Sequence, residues 1–156
     1  MLERLDPYMS FLIKHEAVHL AVALLLCVLI WRWYQAWSLI FLLLGVSFLI
    51  DVDHLFDCFM VYGFDFSLID FLSGKYWSNT DQLFVPLHSW ELMGLIWLFC
   101  WWKKRVDIGL TVSLAMAGHM LVDQFTYTMH PLAYSLIYRA FHDFRSIYFS
   151  SAAFIR

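Results

Sequence analysis

Charge is what this chain most lacks. Only 15% of its 156 residues are charged, while 62% are hydrophobic and 20% aromatic; that is about ten percentage points less charge than an ordinary soluble domain carries. A soluble chain of this size could not hide so much apolar surface, so the expected solvent is lipid. An excess of basic charge is also missing. The formal charge of -3 and the isoelectric point near 6.1 give no electrostatic reason to expect nucleic acid as a partner. The three cysteines, Cys27, Cys58 and Cys100, stand apart with no CxxC pair, which argues against a disulfide framework or a thiolate zinc site and leaves the redox compartment open. The N-terminal "MLERLDPYMS" mixes acids with bases and offers no small-residue cleavage site before the first apolar run, unlike a removable signal peptide. Internal repeats and low-complexity linkers are absent as well, and the length suits a single domain over residues 1–156.

What is present is a set of long apolar runs. Four segments are candidates to cross a bilayer: roughly His15–Tyr34, Ala36–Asp53, His88–Trp102 and Asp107–Tyr127. A crossing helix needs about 20 predominantly apolar residues, fewer if its ends lie in the interface. Spans 1 and 2 are separated by little more than Gln35, and spans 3 and 4 by "KKRVD". The expected fold is therefore an all-α integral membrane protein with about four transmembrane helices arranged as two hairpins. The stretch Leu55–Leu87, with Gly63, Gly74, Pro86 and several acids among its aromatics, and the tail from Pro131 read as interfacial helical segments. A fifth, shorter or re-entrant helix is possible in that tail.

The polar residues of these spans share a depth. His15 and His19 lie near the start of span 1, and Asp51, Asp53 and His54 at the end of span 2. His88 and Glu91 open span 3, and His119 and Asp123 come late in span 4. Since successive spans run in opposite directions, all of these fall on one side. The separations His19–Trp33, Ala36–Asp51, His88–Trp102 and Arg105–His119 are each 14 or 15 residues, roughly 21–23 Å of helix. Ionisable groups in a span are costly and are functional candidates by default.

Imidazoles and carboxylates without thiolate suit zinc or another divalent cation. Residues at i,i+4 share a helical face, so "HMLVD" presents His119 with Asp123. "HSWE" presents His88 with Glu91 at i,i+3, and "DVDH" presents Asp51 with His54, Asp53 standing beside them. The set has enough ligands for one or two ions, and a two-ion site suits phosphoryl displacement. Other residues have plainer readings. His142, and His15 as well, can be hydrogen-bonded packing; Asp57, Asp65, Asp70 and Asp81 are expected to face water. The Trp31/Trp33/Trp37 and Trp101/Trp102 clusters mark the opposite interface. "HEAVH", His15 to His19, is an HExxH, in which two histidines bind zinc and the glutamate is the base. It supports an alternative, an intramembrane metalloprotease dependent on Glu16. A non-enzymatic ion or proton conduit is a further alternative.

Taken in order, "VHLAVALLL" with His19, "LIDVDH", "PLHSWE" and "AGHMLVDQFTY" resemble the YdjM-like predicted membrane-bound metal-dependent hydrolases. The likeness runs from about His15 to His130. Ile50 stands where that family usually has proline, and the family's "HRG" before the third motif is missing. That family in turn looks distantly similar to zinc-dependent phospholipases C and single-strand nucleases, whose HxxxD pair "HMLVD" matches. His130 lies near where a further histidine ligand would be expected, and Met1 offers no counterpart to their N-terminal tryptophan.

The resemblance implies metal-dependent hydrolysis, and its more distant part implies a phosphoester. On this reading Asp51, Asp53, His54, His88, His119 and Asp123 are first-rank ligands, with His19, Glu91 and His130 behind them. Asp53 and Glu91 are the candidates for acid–base catalysis. The expected cofactor is one or two divalent ions, zinc before others. The expected substrate is a membrane lipid or lipid-linked ester, and no nucleic acid is expected. The expected location is a prokaryotic cell membrane. Lys103–Arg105 with Arg32 place that hairpin side in the cytoplasm and the polar layer outside, against which stand Arg4, Lys14, Lys75, Arg139, Arg145 and Arg156 on the opposite side. Asp51 and His54 are expected to share a face.

Overall fold

A computed structural model describes residues 7–67, 71 and 82–148 of the chain. Among these the regular structure is helical, apart from one isolated bridge between Gln82 and Arg145. Helix α1 (Pro7–Tyr34) opens on a proline, whose missing N–H costs nothing at a first helical position. Gln35 adopts a positive φ of 49° and its N–H caps Trp31 O at 3.0 Å. After Ala36 the chain turns into α2 (Trp37–Leu49).

The end of α2 departs from the simple end of a span. Ile50–Val52 tighten into a 3-10 turn and the chain then continues as α3 (Asp53–Tyr62). Leu49, Ile50, Val52 and Asp53 all keep right-handed helical backbone, so the helical path extends from Trp37 to Met60 with one tighter turn inside it. Gly45 lies within it without breaking it, no proline follows, and Gly63, whose φ of +58° suits a glycine, closes α3. Residues 55–62, expected in an interfacial segment, therefore prolong the second helix. Most of the remainder of that segment, including Asp70, Gly74, Lys75 and Asp81, lies outside the described residues.

Helix α4 (Trp90–Trp102) starts two residues after His88, because Ser89 is its N-cap and accepts from Leu92 N. Its 13 residues make roughly 20 Å of helix, short of the hydrocarbon core. Lys103–Arg105, with Lys104 at φ 58°, lead into α5 (Val106–Tyr127). The tail carries α6 (Leu136–Phe141) and a 3-10 turn at Ser146–Tyr148. Three helical segments, Ser10–Tyr34, Trp37–Met60 and Val106–Tyr127, are long and apolar enough to cross a membrane, while α4 is a shorter apolar helix.

Helix α5 is the hub, packing against α1, α2 and α4. Small residues let it do so. A Cβ on Gly109 would stand 2.9 Å from Cys100 Cβ and 3.0 Å from the Trp97 ring, and one on Gly118 would meet Leu26 at 2.7 Å. One apolar cluster joins Ala23, Cys27, Ile30, Leu39, Leu43 and Ala115 across α1, α2 and α5. A second joins Ile50, Val112, Met116, Met120 and Tyr134. Leu25, Phe41, Leu95 and Trp101 point outward, while His15, His19, Asp53, Asp57, His88, His119, Asp123 and Arg139 are buried. Apolar side chains outside and ionisable ones inside are the arrangement expected of a bundle in lipid.

Gly109→Val should lower the unfolding midpoint in detergent, with a cost of roughly 1–3 kcal/mol from overpacking. Gly45→Ala, where the added Cβ meets nothing, should be neutral or stabilising by up to about 1 kcal/mol. Equal midpoints for the two variants would contradict the packing described for α5.

Candidate metal centre

The second half of α5 supplies the middle of the site. His119 and Asp123, one turn apart, are both buried, and Nε2 of His119 lies 3.4 Å from Asp123 Oδ2. The 3-10 turn after α2 brings Asp51 to the same place, with its Oδ1 3.1 Å from His119 Nε2. In a 3-10 turn side chains at i and i+3 eclipse, and His54 Nε2 accordingly sits 3.6 Å from Asp51 Oδ1. The stretch before α4 adds His88, whose Nε2 is 3.5 Å from Asp51 Oδ1 and 3.7 Å from Asp123 Oδ2.

Hydrogen bonds on the far side of two rings determine what these atoms are. Nδ1 of His119 faces the Ser47 carbonyl at 2.9 Å. A carbonyl only accepts, so Nδ1 carries the proton and Nε2 is a lone pair in the neutral ring. Nδ1 of His88 likewise donates to the Asp53 carboxylate, at 3.0 and 3.1 Å from its two oxygens. Two imidazole lone pairs thus face two carboxylate oxygens, and Nε2 of His88 is buried with no hydrogen-bond partner among the described residues. Four acceptors turned toward one another repel unless a cation lies among them or the rings take up protons. Their separations of 3.1–3.7 Å bracket the edge of a tetrahedron with the 2.0–2.1 Å bonds of zinc to nitrogen or oxygen, about 3.3–3.4 Å. In donor chemistry, and in these four of the six separations, the set could hold a divalent ion.

The other oxygen of Asp123 faces a second pair. Oδ1 lies 3.2 Å from His15 Nε2 and 3.1 Å from His19 Nε2, and the two Nε2 atoms are 3.0 Å apart. Each Nε2–H can point at only one neighbour, so hydrogen bonds cannot satisfy all three sides of this triangle. A cation can. Three His/Asp groups therefore have ligand spacing: His15, His19 and Asp123; His88, His119 and Asp123; and Asp51, His54 and His88. His15, which the sequence also allowed as hydrogen-bonded packing, stands in the same group as His19.

Other expected site residues are placed elsewhere. Asp53 is buried behind His88, where it accepts from His88 Nδ1 and from the N–H groups of Leu87 and His88 at 2.8 and 3.2 Å; it orients the His88 ring. Glu91 does not share a face with His88, because the helix begins only after Ser89. Its carboxylate instead takes the Ser135 hydroxyl and the N–H groups of Leu136 and Ile137, the unsatisfied donors at the start of α6. His130 is exposed, takes Leu132 N–H on Nδ1 and stacks on Tyr138 with ring centroids 5.3 Å apart. His142 donates from Nδ1 to Tyr138 O at 2.9 Å. Asp65 is exposed as expected.

Asp57 overturns its expectation. It is 0% exposed rather than facing water, because α3 continues the helix and turns it inward, where it accepts Phe84 N–H and Val85 N–H at 2.9 Å each. Arg139 was read only as a loop charge, yet it too is 0% exposed. Burial pushes its guanidinium down to about 10, opposed by Asp53, Asp57 and Glu91, so it stays charged at neutral pH. Nothing local in the sequence marks either residue.

No family model, curated protein or solved structure matches this chain. The resemblance to the YdjM-like hydrolases therefore rests on the short motifs themselves.

Asp57→Ala strands two backbone donors and should cost at least the roughly 1–3 kcal/mol of one buried unsatisfied N–H, while Asp65→Ala should stay within about 0.5 kcal/mol. Denaturant unfolding in micelles reads both. Equal stabilities would mean that Asp57 is not the buried acceptor described.

Proposed function

We propose that this protein is a multi-pass membrane hydrolase that uses one or two divalent ions, zinc before others, to cleave an ester of a lipid or lipid-linked substrate, most plausibly a phosphoester. In this reading α4 and the residues before it make a fourth passage, and the helices pair as two hairpins, α1 with α2 and α4 with α5. One observation carries the metal reading: the tautomers of His88 and His119, set by Asp53 and Ser47 O, turn two lone pairs onto Asp51 and Asp123.

Asp51, His88, His119 and Asp123 would hold one ion, with His54 adjoining, and His15, His19 and the second oxygen of Asp123 could hold another. A divalent ion there would polarise an ester oxygen and acidify a water molecule. The chain's own residues do the remaining work. Ser47 O and Asp53 hold the imidazoles in orientation, and burial of His15, His19, His88, His119 and Asp123 limits access of bulk water to them. Asp51, whose side chain is 33% exposed, forms the accessible edge. Phe48, Val52 and Leu55 flank it and are exposed too. A reacting group reaching Asp51 past an apolar border of this kind belongs to an amphiphile more naturally than to a solute, which supports a lipid-like substrate.

Purified protein should contain stoichiometric divalent metal by elemental analysis, and Asp51→Ala and His119→Ala should lose it. Asp53→Asn should weaken the affinity roughly 10–100-fold, as removal of a carboxylate that orients a ligating histidine does. The metal-loaded wild type should hydrolyse a phosphodiester reporter in micelles. Metal-free wild type, or full metal retention in both alanine variants, would end this reading.

The intramembrane metalloprotease reading keeps one supporting observation, since the two histidines of the HExxH meet Asp123 from another helix. It requires Glu16 as the base. Glu16→Gln should abolish peptide-bond cleavage under that reading. The carboxylate and imidazoles of Asp51, His88 and His119 have no part in it. A variant with unchanged turnover of whichever substrate is found would exclude the protease.

A further inference from the structure

His88 is the one residue of the cluster that no long helix carries. It sits in the segment Phe84–His88, ahead of α4, and something else must hold it. Val85 in that segment has φ +28°, which for a β-branched residue is a strained conformation that persists only where its surroundings impose it. The surroundings are three buried side chains, two carboxyl groups and one guanidinium. Asp57 accepts the N–H groups of Phe84 and Val85, and Asp53 accepts those of Leu87 and His88. Arg139 supplies the opposite polarity. Nη1 donates to Phe84 O at 2.6 Å and to Val85 O at 3.1 Å, and Nη2 donates to His88 O at 2.9 Å. Pro86 has no N–H to satisfy. The polar backbone of the segment is thus gripped on its donor side by two aspartates and on its acceptor side by one arginine.

Arg139 is itself anchored through α6. The first donors of that helix are held by Glu91 from α4, and Ser135 Oγ caps Tyr138 N. Glu91, Arg139 and His88 therefore form a chain of contacts running from α4 through the C-terminal segment and back to the residue before α4. A guanidinium is suited to the last link, because its planar fork can serve several carbonyls at once whereas an ammonium is a single point donor.

We propose that Arg139 is a positioning residue for metal binding: by gripping the carbonyls of Phe84, Val85 and His88 it fixes His88 against Asp51 and Asp123, and Glu91 acts in the same direction by anchoring α6. This rests on the metal-dependent reading above and assigns the C-terminal segment a part in it. Neither residue touches the reacting atoms.

The test is zinc affinity, measured by chelator competition in micelles, together with the visible spectrum of the Co2+ form, which reports the ligand set. Arg139→Met should weaken zinc binding at least tenfold and alter the Co2+ spectrum, with Arg139→Lys recovering part of the loss. Glu91→Gln should shift affinity in the same direction by less. Gly109→Ala serves as the control, since it overpacks the other end of α5 against Cys100 and Trp97 without touching this network, and it should bind zinc as the wild type does. Wild-type affinity and spectrum in folded Arg139→Met overturn the proposal. So does an equal loss in Gly109→Ala, which would reduce the effect to general destabilisation. If Arg139→Met does not fold, unchanged affinity in Glu91→Gln overturns it instead. A wild type that binds neither metal overturns the metal-dependent reading and this proposal together, whereas a wild type that binds with no response to Arg139→Met or Glu91→Gln leaves that reading standing.

Discussion

Asp123 presents one carboxylate oxygen to His15 and His19 and the other to His88 and His119. A buried carboxylate is costly unless it is compensated, and here compensation comes from three different parts of the chain. The constraint works outward from that point. α1 must place two histidines one turn apart beside α5, and the 3-10 turn after α2 must deliver Asp51. The segment before α4 must bring in His88. Gly118 on α5 leaves room for α1, which carries His15 and His19, to approach at Val22 and Leu26.

The polar interior has two layers with different tasks. In the inner layer imidazoles and carboxylates face one another at ligand spacing, an arrangement that could hold a cation. In the outer layer Ser47 O, Asp53, Asp57 and Arg139 satisfy backbone and ring groups with ordinary donor–acceptor pairing. The outer layer removes rotational freedom from the inner one. His88 and His119 have an oriented Nδ1, while Nδ1 of His15 and of His19 has no hydrogen-bond partner among the described residues. The pair on α1 is therefore the less restrained half of the cluster, held by its helix and by ring contacts. His15 lies edge-on to Tyr127, and His19 stacks on His119 at 3.9 Å between centroids.

Glu91 shows how local spacing can mislead. At i+3 from His88 it looked like a partner on one helical face, but the N-cap at Ser89 puts the two residues on different backbone geometries. The same break that frees His88 from the helix turns Glu91 toward α6. Asp57 misled in the opposite sense. An acid after an apolar run reads as an interfacial group, and only the continuation of the helix through Ile50–Val52 turns it inward to meet Phe84 and Val85, 27 and 28 residues further on.

By itself the sequence determined the helical, apolar character of the chain and the crowding of His and Asp near helix ends. Both follow from composition and from periodicities of three and four residues, which are local properties. It also marked His119 with Asp123, and Asp51 with His54, since such pairs lie within one helical turn. What only the tertiary structure decided is which pairs meet: that both histidines of "HEAVH" join Asp123, that Asp53 stands behind His88, that His130 stays apart, and that Arg139 grips the segment bearing His88. Those relations span tens of residues and depend on how the helices pack and where they tighten or stop. The reason is physical. Hydrogen-bond demand in a lipid-like interior must be met by whatever side chain the packing brings near, and no local pattern announces which one that is.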